Sequence, residues 1–238
     1  MPELITGGLG DPTDRGDPDP RVAAALSAFA AGQGSEHAAL AALATARLLI
    51  PVVAVPAEAA PAEKTSEMVL PTLIGSDGRR AVLAFTGLRS LAGWRPDARP
   101  VPVTARQVWQ AGVEDASAVV IDVAGPVPLA VDGARLAALA EGRPVPLPHE
   151  DPDMRALADS ALAGEPLITD FALLPGEGDS DLTVQLTLAN GYGPAHVHVQ
   201  AAIQRAMERF VAAGGGRVRR GITVAAAGGT PDAGVGRP

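Results

Sequence analysis

The sequence predicts an α+β protein: a mixed-sheet N-terminal domain with flanking helices, followed by a small ββαβ C-terminal domain. Three observations predict it. Continuous apolar runs, RLLIPVVAV at 47–55 and SAVVIDVAG at 117–125, suit strands covered on both faces. A Ser-Asp-Gly turn at 76–78 sits between two apolar segments and marks a hairpin, so not every strand is reached by a crossover. Leu182, Val184, Leu186 and Leu188 alternate with Thr183, Gln185 and Thr187, the period of a strand with one buried and one polar face.

The elements follow in order. Residues 1–18 are rich in Gly, Asp and Pro and read as a disordered tail. Asp19-Pro20 offers an N-cap with proline at the first helical position, and Val22, Leu26 and Phe29 fall at helical spacing. A second helix from near Ser35 carries Leu40 and Leu43 into the first apolar run. After a loop at 57–66, EMVLPTLIG (67–75) and RRAVLAF (79–85) flank the Asp-Gly turn, for which a two-residue type I′ geometry is expected. Pro71 lacks an N–H and places its strand at an edge or bulge. Thr86 caps a short helix, RPVPV (99–103) is extended, and Thr104 with Gln107 forms a capping box that opens another helix. Strands at 117–125 and 127–133 and a helix at 134–142 complete a domain spanning 19–143.

Prolines 144, 146 and 148 make 144–150 a semi-rigid linker. Asp151-Pro152 repeats the cap-plus-proline start. Strands at 166–174 and 181–189, a helix near 195–211 and a closing strand, RVRRGITVAAA (217–227), form the C-terminal domain of 151–227. Val199, Ile203, Ala206 and Phe210 make the expected buried stripe of that helix. A flexible tail of 228–238 follows.

Composition narrows the chemistry. The 238 residues carry 27 acidic and 19 basic groups, a net charge of −8, which repels phosphate backbones. Aromatic residues are 3% of the chain, too few for base-stacking platforms, so nucleic acid is disfavoured as a partner. The chain has no cysteine, which excludes disulfides, thiolate catalysis and cysteine-ligated zinc. The first residues lack the basic and apolar regions of a secretory signal, and no apolar run is long enough to span a membrane. A cytoplasmic location is expected.

The segments RLLIPVV, then EKTSEMVLPTLIGSDGRRAVLAFTGLRSLAGWRPDARPVPV, then AVVIDVAGPVPLAV, in that order and spacing, resemble the SseB family, whose shared unit is its N-terminal domain. The resemblance spans about residues 35 to 143, and the alanine- and arginine-rich texture is similar to actinobacterial members. The C-terminal ββαβ unit is similar to the second domain of some members. The family name derives from a serine-sensitivity phenotype, which is not an activity, and the resemblance brings no catalytic residue with it.

Candidate residues are therefore weighed on chemistry. Glu63, Lys64 (the chain's one lysine), Ser66 and Glu67 precede an edge-like strand and form a candidate partner-recognition segment, open to strand addition. Asp122 interrupts an inner strand, and a buried carboxylate needs a partner or a shifted pKa. With Glu67 it is the candidate for an alternative reading, small-molecule binding or hydrolysis in an interdomain cleft; beside Gly125-Pro126 it also reads as a turn organiser. His196 and His198 lie two apart at a helix start, which argues against joint metal ligation. Arg217, Arg219 and Arg220 form a small basic cluster that guards an edge strand or contacts RNA. No phosphate-loop or nucleophile-elbow pattern occurs. The expectation is a non-catalytic interaction or regulatory protein with a protein partner and without cofactor or metal.

Overall fold

The computed structural model describes residues 15–56, 66–69, 71–75, 78–214 and 217–229. The chain divides into two compact units, Met1–Ala31 with Ala38–Val145, and Gly32–His37 with Pro146–Pro238. Both combine helices with β-sheet, and the fold is α+β.

In the first unit, α1 (Pro20–Ala30) begins where Asp19 Oδ1 accepts the Arg21 amide at 2.7 Å, and it buries Val22, Leu26 and Phe29. α2 (Glu36–Leu43) leads into β1 (Arg47–Pro56). β1 is the centre of a three-stranded antiparallel sheet, with β2 (Ser66–Val69) on one side and β5 (Arg99–Thr104) on the other. A second sheet has the order β3 (Thr72–Ile74), β4 (Arg80–Ala84), β6 (Ala118–Ile121), β7 (Leu129–Asp132); β4 and β6 are parallel and the outer pairs antiparallel. Leu49 and Phe85 exchange both backbone hydrogen bonds, each 2.8 Å, and so join the two sheets. Beyond that bridge β1 turns to β2, and the sheet forks.

Three helices cover this framework: α3 (Leu88–Trp94), α4 (Ala105–Asp115) and α5 (Gly133–Glu141). The Thr104–Gln107 capping box forms as the sequence indicates, the Thr104 amide donating to Gln107 Oε1 at 3.0 Å and the Gln107 amide to Thr104 Oγ1 at 3.4 Å. α4 sits directly on β6 because Gly112 has no side chain; a Cβ there would lie 2.5 Å from Val119 Cγ2. Trp109, Phe29 and Leu40 fill the core beneath.

Two expectations change here. The segment 67–75 is not one strand: Ser66–Val69 pairs with β1, whereas Thr72–Ile74 pairs with β4. The hairpin forms, but its turn is longer than two residues, since the Gly78 amide donates to the Gly75 carbonyl and the Gly75 amide to the Arg79 carbonyl. Gly78 has φ +79°, which only glycine adopts without strain. Residues 15–18 are held in place, with the Gly16 carbonyl accepting the Leu88 amide and the Asp17 carbonyl accepting Arg47 Nη2 at 2.6 Å. The remainder of the tail read at 1–18 lies outside the described residues, as do 230–238.

In the second unit, α6 (Pro152–Leu162) precedes β8 (Ile168–Pro175), β9 (Leu182–Asn190), α7 (Val197–Gly214) and β10 (Ile222–Gly229). The sheet order is β10-β9-β8, with β10 parallel and β8 antiparallel to β9. Leu182, Val184, Leu186 and Leu188 are all buried, the face the alternation assigned to the core. Met154, Ala206 and Phe210 pack against this face. The buried stripe of α7 runs Val199, Ala202, Ala206, Phe210; Ile203 is half-buried and flanks it. Both stripes advance eleven residues in three steps, so spacing alone does not choose between Ala202 and Ile203. Arg217 to Arg220 lie before β10 and not within it, which corrects the strand read from 217.

Candidate functional site

The fork between β1 and β4 opens a cleft of about 260 Å³ in the first unit. Its walls come from Ile50 of β1, Pro71 and Thr72 at β3, Val82 of β4, Val103 of β5 and Val108 of α4. Arg80 and Asp115 lie at its rim, both exposed, and neither side chain has a hydrogen-bond or ion-pair partner among the described residues. An apolar wall with one unpaired cation and one unpaired anion suits binding of an apolar group with polar neighbours. Among the described lining residues there is no histidine, serine or lysine.

The cleft is bordered on one side by an edge strand, β3. β2 is the outer strand of one sheet and β3 the outer strand of the other, and Pro71 lies between them. Ile74 is 70% exposed at the end of β3. Of the candidate recognition residues, Ser66 and Glu67 lie on β2, opposite Pro56 and Val55 of β1. Glu63 and Lys64 lie outside the described residues.

Asp122 stands at the end of β6 and is 4% exposed. Its Oδ1 accepts the Thr86 amide at 2.9 Å and its Oδ2 the Thr86 hydroxyl at 2.6 Å, with Ser90 as a further side-chain donor. Burial raises its pKa above the ordinary aspartate value, opposed by these hydrogen bonds. Its φ is +49°, the one positive value at a non-glycine among the described residues. The Gly125 amide closes a turn onto the Asp122 carbonyl at 2.7 Å, and a Cβ on Gly125 would fall 2.9 Å from Asp122 Cβ. The carboxylate ties the end of β6 to the segment after β4, the role of a turn organiser. The groups around it are hydroxyls and an amide, not a second ionisable partner.

The remaining candidates are occupied locally. His196 Nδ1 accepts the His198 amide at 3.3 Å and caps α7, and its ring meets Tyr192 edge-on at 5.1 Å. Arg217 pairs with Asp151 at 3.7 Å, and Arg220 reaches Asp181 at 3.8 Å and the Gly178 carbonyl at 2.8 Å. Two of the three clustered arginines thus answer buried carboxylates, which removes most of the charge an RNA contact needs.

One charged cluster was not singled out from sequence. Glu165 is 7% exposed and takes Arg205 Nη2 at 2.7 Å and Arg209 Nη2 at 2.8 Å; Arg209 also donates to the Ala161 carbonyl. Hydrogen bonds from Arg205 and then Arg209 hold the Glu165 pKa below its ordinary value. The i, i+4 spacing of the two arginines was a readable cue; the acid some forty residues away was not.

A forked mixed sheet with a helical cover and a hydroxyl-locked aspartate defines an α+β scaffold. Residues 22–138 match the SseB protein N-terminal domain, and the chain belongs to that family. No curated protein and no solved structure matches it. Among the described residues no helix is long and apolar enough to cross a membrane.

Proposed function

We infer that the chain is a non-catalytic, cytoplasmic interaction protein of the SseB type whose partner is another protein. The partner presents an extended segment to the outer edges at 66–74 and places an apolar side chain in the cleft beside Arg80. The observation that carries this reading is an apolar opening bordered by Pro71 and Thr72 at the outer strand β3, with β2, the outer strand of the neighbouring sheet, just before it in the chain. Edge strands bind partners through main-chain hydrogen bonds, and pockets for alternate side chains supply specificity. A reducing compartment agrees with a chain that has no cysteine. Asp122 contributes stability to this scaffold and no chemistry.

The test places a photo-crosslinking residue at Thr72 or at exposed Asp179 in the full chain and irradiates it in extract from the source cells. A protein adduct at position 72, absent at 179 and abolished by Arg80→Glu, is the expected result. Equal labelling at both positions, or a purified chain that turns over a small molecule and needs Asp122 to do so, overturns the reading.

A further inference from the structure

The sheet of the second unit has two outer strands built in different ways. β8 carries Asp170, ends in Pro175 and is interrupted by a register shift between Ile168 and Asp170. A charge, a proline and a bulge are the devices that keep an edge from pairing with another chain. β10 has neither charge nor proline over Ile222–Gly229, and from Ile222 to Ala227 it follows β9 without a break in register. Thr223, Ala225 and Ala227 are exposed on one face. On the other face a groove of about 580 Å³ separates β10 from α7, lined by Val197, Ala201, Gln204, Val224 and Ala226 among others. None of its described lining residues is ionisable, and Val197 is 71% exposed at its end.

We propose that β10 is a self-association edge: a second copy of this chain pairs its own β10 antiparallel to the first, across a two-fold axis perpendicular to the sheet. Charge decides the occupant. A chain of net charge −8 repels its copy over most approaches, and a seam without ionisable groups on strand or groove is where two copies meet without opposing like charges. An uncharged small-residue strand is complementary to itself, as an isologous interface requires. With the axis at Ala225, Val224 faces Ala226 of the second copy and Thr223 faces its Ala227, which matches small residues to small residues on both faces. The operation extends three strands to six and sets two α7 helices side by side, so that Val197 and Ala201 of each copy close over the groove of the other.

The experiment is sedimentation equilibrium of the full chain, alone and with Ala225→Lys or Ala225→Glu. Ala225 is exposed, so neither substitution disturbs the core, and circular dichroism verifies the fold. The wild type is expected to be dimeric, and each variant alone at least tenfold weaker, because like charges oppose each other at the axis. An equimolar mixture of the two variants is expected to regain the dimer, which a merely misfolded variant cannot do. Leu174→Lys on β8 is expected to leave association unchanged. A monomeric wild type, a dimer indifferent to both substitutions, or a mixture that stays monomeric overturns the proposal. So does a chain that dimerises only after removal of 230–238, which would assign the edge to its own C-terminal segment.

Discussion

Asp122 and Glu165 are two buried carboxylates, one in each unit, and their surroundings move them in opposite directions. Asp122 meets hydroxyls and an amide, and burial raises its pKa. Glu165 meets two guanidinium groups, and their hydrogen bonds lower its pKa. Both are nearly inaccessible, but Asp122 lies deep in its unit whereas Glu165 is covered near the surface by its own two arginines. Neutral donors satisfy the oxygens of Asp122 but offset only part of the cost of its charge, whereas the arginines more than offset that of Glu165. Asp122 therefore acts as a shaped acceptor that fixes backbone, and Glu165 as an ionic staple between the turn after α6 and α7.

The contrast is sharpest when the acceptor is removed. Asp122→Val leaves the buried Thr86 amide and hydroxyl without a partner and puts a β-branched residue at φ +49°. A loss of about 3 kcal/mol or more is expected. Urea unfolding followed by tryptophan fluorescence measures it, because Trp94 and Trp109, the chain's two tryptophans, both lie in the first unit.

Glu165→Gln is the smaller change, roughly 1 kcal/mol, since solvent reaches both arginine heads and screens the pairs. Its pH signature distinguishes it. A lowered pKa means that the Glu165 contribution is complete above the ordinary glutamate pKa and is lost as pH falls through the depressed value. The substitution should flatten that acid-side loss. Tyr192, the one tyrosine and a residue of the second unit, reports it in the fluorescence of the unfolding transition. A Glu165→Gln effect that persists below the depressed pKa would show that packing, not charge, holds the turn after α6 to α7.

Asp122→Asn is the smallest. Asparagine keeps the acceptor oxygen, tolerates the left-handed backbone and carries no charge to desolvate. Because the Asp122 pKa is raised, the folded state loses stability as pH rises from the ordinary aspartate value through the raised one. The asparagine variant should lie within about 0.5 kcal/mol of wild type at neutral pH and lack that decline. A large loss for asparagine in the tryptophan transition would mean that the charge itself is used.

What could be read from the sequence was what depends on near neighbours. The caps at Asp19, Thr104 and Asp151 use residues two or three positions away, and each forms. The alternation from Leu182 to Leu188 needed only the strand period. What could not be read depends on distant partners. Nothing local tells Ser66–Val69 to join β1 and Thr72–Ile74 to join β4, since pairing is chosen by distant strands and Pro71 merely permits the break. Arg217 and Arg220 looked like an open basic patch because Asp151 and Asp181 lie far back along the chain. The cleft was hidden for the same reason: its walls belong to five separate segments that meet only once the sheet forks.

The fork has a fixed origin. Leu49 and Phe85 clasp each other through a reciprocal pair of bonds, and both side chains are buried in the same cluster. Sliding β1 by one residue would throw Leu49 to the opposite face and empty its place beside Phe85. The branching point therefore cannot creep along either strand, and the gap that opens beyond it has one set of dimensions, much as the rivet of a pair of tongs dictates how the jaws meet.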